Sequence, residues 1–299
     1  MNYKLSILIP TYNRLDLFKE TLSSILKQVE NKPVEIVIVD DGSTERNYEY
    51  ALEISKKYPF VEVQRHEKNL GVGQARNTLL SQAKGEYLVF IDSDDLLMDG
   101  ALKKMLNLIA SNEAECFVLN SYREKGKKLK FKPFPVDKKG LSLLKAYIDG
   151  AFSEALYLIK TEVARKYPFN PDLRVREDFA PKACYLLFSS FKIINEPFVI
   201  YRDHPQRLRK VADNYFEKAL TSVDDLFNRL PEPYQSLKSY ALARAYLELA
   251  NIAYKSEHYD KARAYLQKSI EYYPEFNRSF KYFKLQTKIY LKKVFCHSQ

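Results

Sequence analysis

Through the first hundred residues, short apolar runs alternate with longer stretches of helical spacing. The runs 5–9, 34–39, 61–63 and 87–91 are rich in Ile, Val and Leu, the third being the weakest. Between and after them, residues 16–28, a stretch ending at 57, 72–83 and 101–110 repeat apolar positions at helical intervals. Nearly continuous apolar strands between helices of ten or more residues predict a mainly parallel α/β sheet with helices on both faces. A fifth strand is expected at 116–119 and further strands at 155–159 and 198–201, with a helix over 179–188. Residues 125–139 read as a Lys-rich loop or hairpin, interrupted by Pro133 and Pro135. From residue 213 onward the pattern is purely helical. The chain therefore divides into an α/β domain, 1–212, and a helical region, 213–299.

Within that helical region, 243–276 follows the tetratricopeptide pattern. Tyr246, Leu249, Ala250, Tyr254, Tyr259, Ala262, Leu266 and Pro274 fall where the repeat wants bulky, small and helix-ending residues. Residues 215–230 read as a degenerate neighbour. One repeat cannot bury its own face, so it is expected to pack on the α/β body or on a partner protein.

Composition sharpens this picture. The 299 residues are 46% hydrophobic and 29% charged, which excludes a disordered chain and leaves room for one large or two small domains. No apolar run approaches the ~20 residues of a membrane span. The first residues lead straight into a strand, so no secretory signal is expected. Cys116, Cys184 and Cys296 are odd in number and far apart, which fits a reducing cytosol rather than a disulfide frame. All eight glycines lie at or before Gly150. The net charge of +10 is also local. Residues 122–140 carry eight Lys/Arg against two acids, and 276–299 carry six against none. Two basic patches on a near-neutral body imply an anionic partner.

In an α/β sheet of this kind, ligands bind at the C-terminal ends of the strands. Pro10-Thr11-Tyr12-Asn13-Arg14 follows the first strand, where Asn13 either caps a helix or faces a ligand. Asp40-Asp41-Gly42-Ser43 follows the second, as a plain turn or as a carboxylate accepting from the ring N–H of a nucleobase. Gly71-Val72-Gly73 opens a helix and can admit a diphosphate to its N-terminus. Arg76, in that first turn, opposes the helix dipole, so it either pairs with an acid such as Asp41 or serves phosphate. Asp92-Ser93-Asp94-Asp95 follows the fourth strand. Three carboxylates this close repel unless a cation or strong donors sit among them. The Asp-x-Asp spacing suits one hard ion, Mg²⁺ or Mn²⁺, with positions left for substrate phosphate. Arg176-Glu177-Asp178 precedes a helix, as capping acids or as the source of a general base. His204, in Tyr201-Arg202-Asp203-His204, is a solvated loop residue or a metal or phosphate ligand. His66, His258 and His297 stand in no ligand-like constellation.

Together these motifs resemble the family 2 inverting glycosyltransferases, which have the GT-A fold. The resemblance rests on Ser6–Arg14, Val37-Ile38-Val39-Asp40-Asp41-Gly42-Ser43-Thr44, Asn69-Leu70-Gly71 with Ala75-Arg76-Asn77, the run from Gly85 to Asp95, and Glu177-Asp178. It covers about residues 1–205. It implies that Tyr12 and Asp41 hold the base of a nucleotide sugar, most often a UDP-sugar, with Pro10 and Thr11 supplying backbone and Asn13 and Ser93 beside them. By the same resemblance Asp94 binds the metal most directly, Asp92 faces the ribose or donor sugar, and Asp178 is the base. Arg76, Arg202 and Glu177 would lie at the donor sugar or diphosphate, and His204 would be a further metal ligand. The hydroxyl residues usual after the tyrosine-arginine-x-histidine segment are replaced by Arg207 and Arg209. Bacterial members often end in a tetratricopeptide-like pair and a basic tail.

The implied reaction is a single in-line displacement that moves a sugar to a hydroxyl of a glycan or lipid-linked acceptor in cell-surface polysaccharide or glycolipid synthesis. A metal-dependent phosphohydrolase fits less well, because Leu96 stands where an aspartyl-nucleophile enzyme wants Thr or Ser, and the motif is on the fourth strand. A non-catalytic scaffold binding a protein through its repeat is the other alternative, but every acid the chemistry needs is present. The tail around Lys281, Lys284, Lys288, Lys292 and Lys293 reads either as an amphipathic helix on an anionic membrane or as a helix packed on the body. No nucleic-acid module accompanies the charge, so no nucleic-acid partner is expected. The expected location is the cytoplasm, at the inner face of the membrane.

Overall fold

A computed structural model describes residues 2–126, 128–204 and 215–296, apart from the side chains of 215–218, 280–281 and 291–296. The strand–helix alternation runs β1 (Leu5–Thr11), α1 (Leu15–Val29), β2 (Val34–Asp40), α2 (Asn47–Lys57), β3 (Val61–Arg65), α3 (Val72–Gln82), β4 (Tyr87–Phe90), β5 (Leu96–Leu97) and α4 (Ala101–Ser111). It continues through β6 (Cys116–Lys125), β7 (Lys128–Lys130), α5 (Gly140–Ile148), β8 (Leu156–Lys160), α6 (Thr161–Lys166), α7 (Phe179–Phe188) and β9 (Phe191–Tyr201). The remainder is helical: α8 (Tyr215–Arg229), α9 (Glu232–Gln235), α10 (Lys238–Lys255), α11 (Tyr259–Tyr272), a 3-10 turn at Pro274–Arg278, and α12 (Phe280–Cys296). The expected division at 212/213 lies outside the described residues.

The sheet runs β3-β2-β1-β4-β8-β6-β9-β5, with β7 paired to the end of β6. The strands of the first half, β3-β2-β1-β4, are parallel, and so is β6 with β9. β8 runs antiparallel to both neighbours, which makes the second half mixed. The period of two along each strand decides which helices it meets. Leu5, Ile7 and Ile9 pack with Phe18, Leu22 and Ile25 of α1 and Leu102 and Met105 of α4. Leu8, Val37 and Val39 face the opposite side, against Ala75 and Leu79 of α3. Helices therefore cover both faces, as the apolar runs required.

β9 begins at Phe191, seven residues before the strand expected at 198. Its early part pairs with β6 through an irregularity around Asn120, where the register passes to Pro197. A proline and polar residues at a bulge blur the apolar pattern that would announce a strand. The expected hairpin reduces to β7, and the unforeseen α5 follows it.

The helical region packs on the α/β body. Val223, Leu226 and Phe227 of α8 and Tyr240, Ala241 and Ala243 of α10 join the core that also holds Leu8 and Val37. Asp149, just after α5, accepts from Tyr240 Oη (2.6 Å), Arg244 Nε (3.1 Å) and Lys145 Nζ (3.1 Å). Burial alone would raise its pKa, but these three donors hold it below the ordinary carboxylate value. α10 and α11 form the repeat's helix pair, with Leu249, Ala250, Ala262 and Leu266 buried at the expected positions. On α12, Tyr282, Leu285 and Ile289 are buried against the same pair, while Phe283 and Tyr290 are exposed. No described helix is long and apolar enough to cross a membrane.

Candidate active site

The ends of β1, β2 and β4 converge, and hydrogen bonds fix the loops that follow them. Thr11 C=O accepts the Asp41 N–H at 2.8 Å. Asn13 takes a left-handed conformation (φ 54°), and its Oδ1 accepts from Thr44 N–H at 2.9 Å and Glu45 N–H at 3.3 Å. Asn13 thus clamps the β2 turn. Asn47 adds bonds to Thr11 Oγ1 (2.8 Å) and to Asn13 C=O (2.7 Å). Pro10 is buried within β1, and Tyr12 stands 39% exposed at the mouth of the loop.

Asp40 and Asp41 differ sharply in surroundings. Asp40 is fully buried, bonded to Ser43 and 3.3 Å from Arg65 Nε. Burial pushes its pKa up, with Ser43 and Arg65 opposing. Asp41 accepts from His66 Nδ1 (2.7 Å), Leu70 N–H (2.9 Å) and Gly71 N–H (2.8 Å). It therefore anchors the turn that starts α3. Gly71 has φ +96°, and a Cβ there would lie 2.2 Å from Arg174 Nη1, so the turn needs glycine.

Ligand oxygens of Asp92, Asp94 and Asp95 lie within 4.8 Å of one another. Two side chains converge on Asp94 Oδ2: Arg14 Nη1 at 2.7 Å and His204 Nε2 at 2.8 Å. Arg202 is buried and braces this loop. Its guanidinium bonds to Asp94 C=O, Glu20, Leu17 C=O (3.0 Å) and Thr21 Oγ1 (3.1 Å), and its N–H reaches Asp95 Oδ1 at 3.3 Å. Ser93 is buried too, with its carbonyl accepting from Thr21 Oγ1 at 3.0 Å.

Arg76 links this loop to the Glu177-Asp178 segment. Its Nη2 donates to Asp92 Oδ1 at 2.8 Å and its Nη1 to Glu177 Oε1, while the guanidinium lies 5.5 Å from the centre of the Phe169 ring. The sequence offered an acid such as Asp41, or phosphate, as its partner; the acids it meets are Asp92 and Glu177. Burial disfavours the Arg76 cation, but Asp92, Glu177 and Asp178 outweigh this and raise its pKa. Burial raises the pKa of Glu177 more than Arg76 lowers it. Asp178 stands at the N-terminus of α7, with Lys182 Nζ 2.5 Å from its Oδ2. Beneath lies a cavity lined by Arg76, Asp92, Asp95, Tyr157, Lys182 and Tyr185, among others.

Residues 6–166 match the family model for glycosyl transferase family 2. The chain belongs to this family. It is 39% identical over 114 residues to a poly(ribitol-phosphate) β-glucosyltransferase of Bacillus spizizenii, a match spanning 38% of this chain and only 18% of that relative. It is 27% identical over 216 residues to the glycosyltransferase GlyG of Streptococcus pneumoniae, covering 68% of this chain and 71% of that protein. Among solved structures, residues 1–349 of S. aureus TarS superpose with a TM-score of 0.65 at 21% identity, over 99% of this chain and 92% of that one. The same protein with UDP-GlcNAc bound gives a TM-score of 0.62 at 20% identity over 93% and 91%. At these identities the likeness establishes the fold, which is GT-A with a helical C-terminal region.

The structure thus brings Arg76, Asp92, Asp94, Glu177 and His204 into one chain of contacts, with Asp178 beside it. It places Asn13 and Arg202 as braces of neighbouring loops. Arg207 and Arg209 lie outside the described residues. Arg14, Lys182 and His66 are the site-forming residues the sequence did not single out. Lys182 is legible as the i+4 partner of Asp178 on α7. His66 directly follows the end of β3, and its neighbours in the sequence carry no motif.

Proposed function

We propose that this chain transfers a sugar from a nucleotide-linked donor, a UDP-sugar first among candidates, to a hydroxyl of an anionic cell-surface polymer, inverting the anomeric centre. The observation that carries the proposal is Arg76, which joins the Asp92 loop to the Glu177-Asp178 segment and so sets donor-side and acceptor-side acids within one site. The names of the poly(ribitol-phosphate) transferases among its relatives and the basic β6–β7 hairpin support an anionic acceptor. That hairpin borders the site, because Arg123 pairs in register with Tyr201 and Asp203 N–H donates to Glu124 Oε2 at 3.1 Å.

In this reading residues 1–212 are the catalytic domain, and 213–299 form a helical region with one tetratricopeptide-like repeat and a basic tail. Tyr12, with its exposed ring, would stack on the base, and Asp41, on a rigid turn, would accept from its ring N–H. Pro10, Thr11, Asn13 and Ser93 would shape that pocket. Asp92 and Arg76 would face the donor sugar and diphosphate. The metal site fits a hard divalent ion, Mn²⁺ or Mg²⁺: three carboxylates gather there, and His204 Nδ1 is buried with no hydrogen-bond partner among the described residues. Asp94, with His204, would hold the ion, which when bound would neutralise charge on the departing diphosphate.

The acceptor hydroxyl forms its bond to C1 as the bond from C1 to the diphosphate breaks. Asp178 takes the hydroxyl proton, and the nucleoside diphosphate leaves with the bonding pair. Arg76 is a fixed, buried cation that opposes the developing negative charge. Glu177 and Lys182 position Arg76 and Asp178. The site works on cytoplasmic nucleotide sugars in this account, consistent with the free, buried Cys116 and Cys184.

Asp178→Ala tests the assignment. Transfer should fall by roughly 10²–10⁴-fold, the range of a positioned general base, while nucleotide affinity stays as in wild type. Unchanged transfer would remove Asp178 from the mechanism.

A further inference from the structure

The two basic patches lie in different places, and the site described above uses only the first. The second belongs to α12. Tyr282, Leu285 and Ile289 on that helix are buried against α10 and α11, so the face they form is already covered by protein. Beside that face lies a groove of about 390 Å³, within the range of small-molecule clefts, lined by Arg244, Glu248 and Asn251 of α10, by Lys284 and Lys288 of α12, and by Leu247 and Leu285 of the apolar cluster.

Several features give this groove a specific chemistry. Lys284 and Lys288 are one helical turn apart and share a face, so two like charges project together about 6 Å apart along the axis. Lys288 Nζ also lies 5.9 Å from the centre of the Tyr254 ring, and an anion between the two ammonium groups would be attracted by both. Arg244 faces the same groove from α10 while its Nε is held by Asp149 at 3.1 Å. Asn251 offers amide donors and acceptors, which suit the hydroxyls of a polyol. The acid in the lining, Glu248, reaches out to Arg176 Nη1 at 3.7 Å. Arg176 immediately precedes Glu177-Asp178, and its guanidinium lies 4.3 Å from the centre of the Phe179 ring at the start of α7. One end of the groove thus touches the segment that carries the proposed base.

We infer that this groove between α10 and α12 binds the phosphodiesters of a polyol-phosphate acceptor chain and leads that chain to the Asp178 segment. The inference rests on the proposed transferase reading and adds to it a binding track some distance from the sugar-transfer site. Phosphates would sit between Lys284 and Lys288, with Arg244 on the opposite wall. The polyol hydroxyls would face Asn251, and the Glu248–Arg176 pair would mark where the chain passes toward the base.

The test uses the full-length chain without donor. Its probes are a poly(ribitol phosphate) oligomer, the uncharged polyol of the same backbone, a single-stranded RNA of matched charge, and vesicles containing anionic phospholipid. UDP affinity is measured on the same samples. Wild type should bind the phosphate-bearing oligomer and not the uncharged polyol, and the double variant Lys284→Glu/Lys288→Glu should weaken that binding at least tenfold. UDP affinity should be unchanged, since neither lysine lies at the donor site, and that measurement also shows that the variant is folded. Asn251→Ala should weaken the oligomer by a smaller factor while leaving its salt dependence intact. Equal oligomer binding by wild type and the charge-reversed variant would overturn the proposal, as would no oligomer binding by wild type. RNA or vesicle binding as strong as oligomer binding, and equally sensitive to the variant, would overturn the assignment to a polyol phosphate. Failure to bind UDP with oligomer binding intact would instead overturn the transferase reading and leave the groove standing.

Discussion

The parallel half of the sheet and the helical region are held together by different physics. Around the ends of β1, β2 and β4, buried charges are each held by several specific partners: Asp41 by the Leu70–Gly71 turn, Arg202 by Asp94 C=O and its neighbours, Arg76 by Asp92 and Glu177. In α10–α12, small and bulky apolar residues interlock, and the polar groups named above lie at the rim or in the groove. A buried polar network loses much of its value when one member goes, whereas an apolar cluster loses volume and keeps its chemistry. Stability and chemistry should therefore separate between the two regions.

Leu266→Ala should show the largest loss of stability. Leu266 is buried among Ala250, Ala253, Tyr282 and Leu285, and its truncation should cost about 2–5 kcal/mol by thermal or urea unfolding. UDP affinity of the folded protein should not move; a change would break the separation. Asp94→Ala should do the reverse. With Mn²⁺ present, nucleotide affinity should drop on the order of 10–100-fold by calorimetry, and without metal the variant and wild type should converge. An equal loss in both conditions would take Asp94 out of metal binding.

Gly71→Ala tests the turn that Asp41 holds. The positive φ should cost about 1–2 kcal/mol, read as a lower melting temperature together with weaker nucleotide binding. A stability loss with unchanged binding would separate the turn from the nucleotide. The smallest effect concerns pH. Glu177 has a folded pKa raised above its unfolded value by burial, so the folded state holds its proton longer. Its ionisation therefore removes stability as pH rises through that window. Glu177→Gln should gain melting temperature relative to wild type as pH rises above the ordinary carboxylate range, and a constant difference would contradict the shift.

The legibility of the molecule follows the same division. β1, β2 and β4 are readable because their buried faces demand unbroken apolar runs, and their ends because turns there need Gly71 or acids such as Asp92 and Asp94. The repeat in α10 and α11 is readable for the same reason, since Leu249, Ala250, Ala262 and Leu266 must fit a fixed helix pair. The partners of Arg76 were not readable. Glu177 is 101 positions away, and only the fold decides whether Arg76 meets it or Asp41. His66 stands in no constellation along the sequence, because its role arises only when β3 brings it beside Asp41 and Thr78. The early part of β9 is hidden where polar residues and Pro197 obscure the period, whereas α5 is apolar enough along Leu141–Ile148 to be legible.

The most direct measurement is nucleotide release from a panel of UDP-, dTDP- and GDP-sugars with Mn²⁺, run on wild type and Asp178→Ala in the presence of a polyol-phosphate acceptor. Release from at least one donor by wild type, lost in the variant while nucleotide binding persists, is the predicted result. No release from any donor, or equal release by both proteins, would contradict the account.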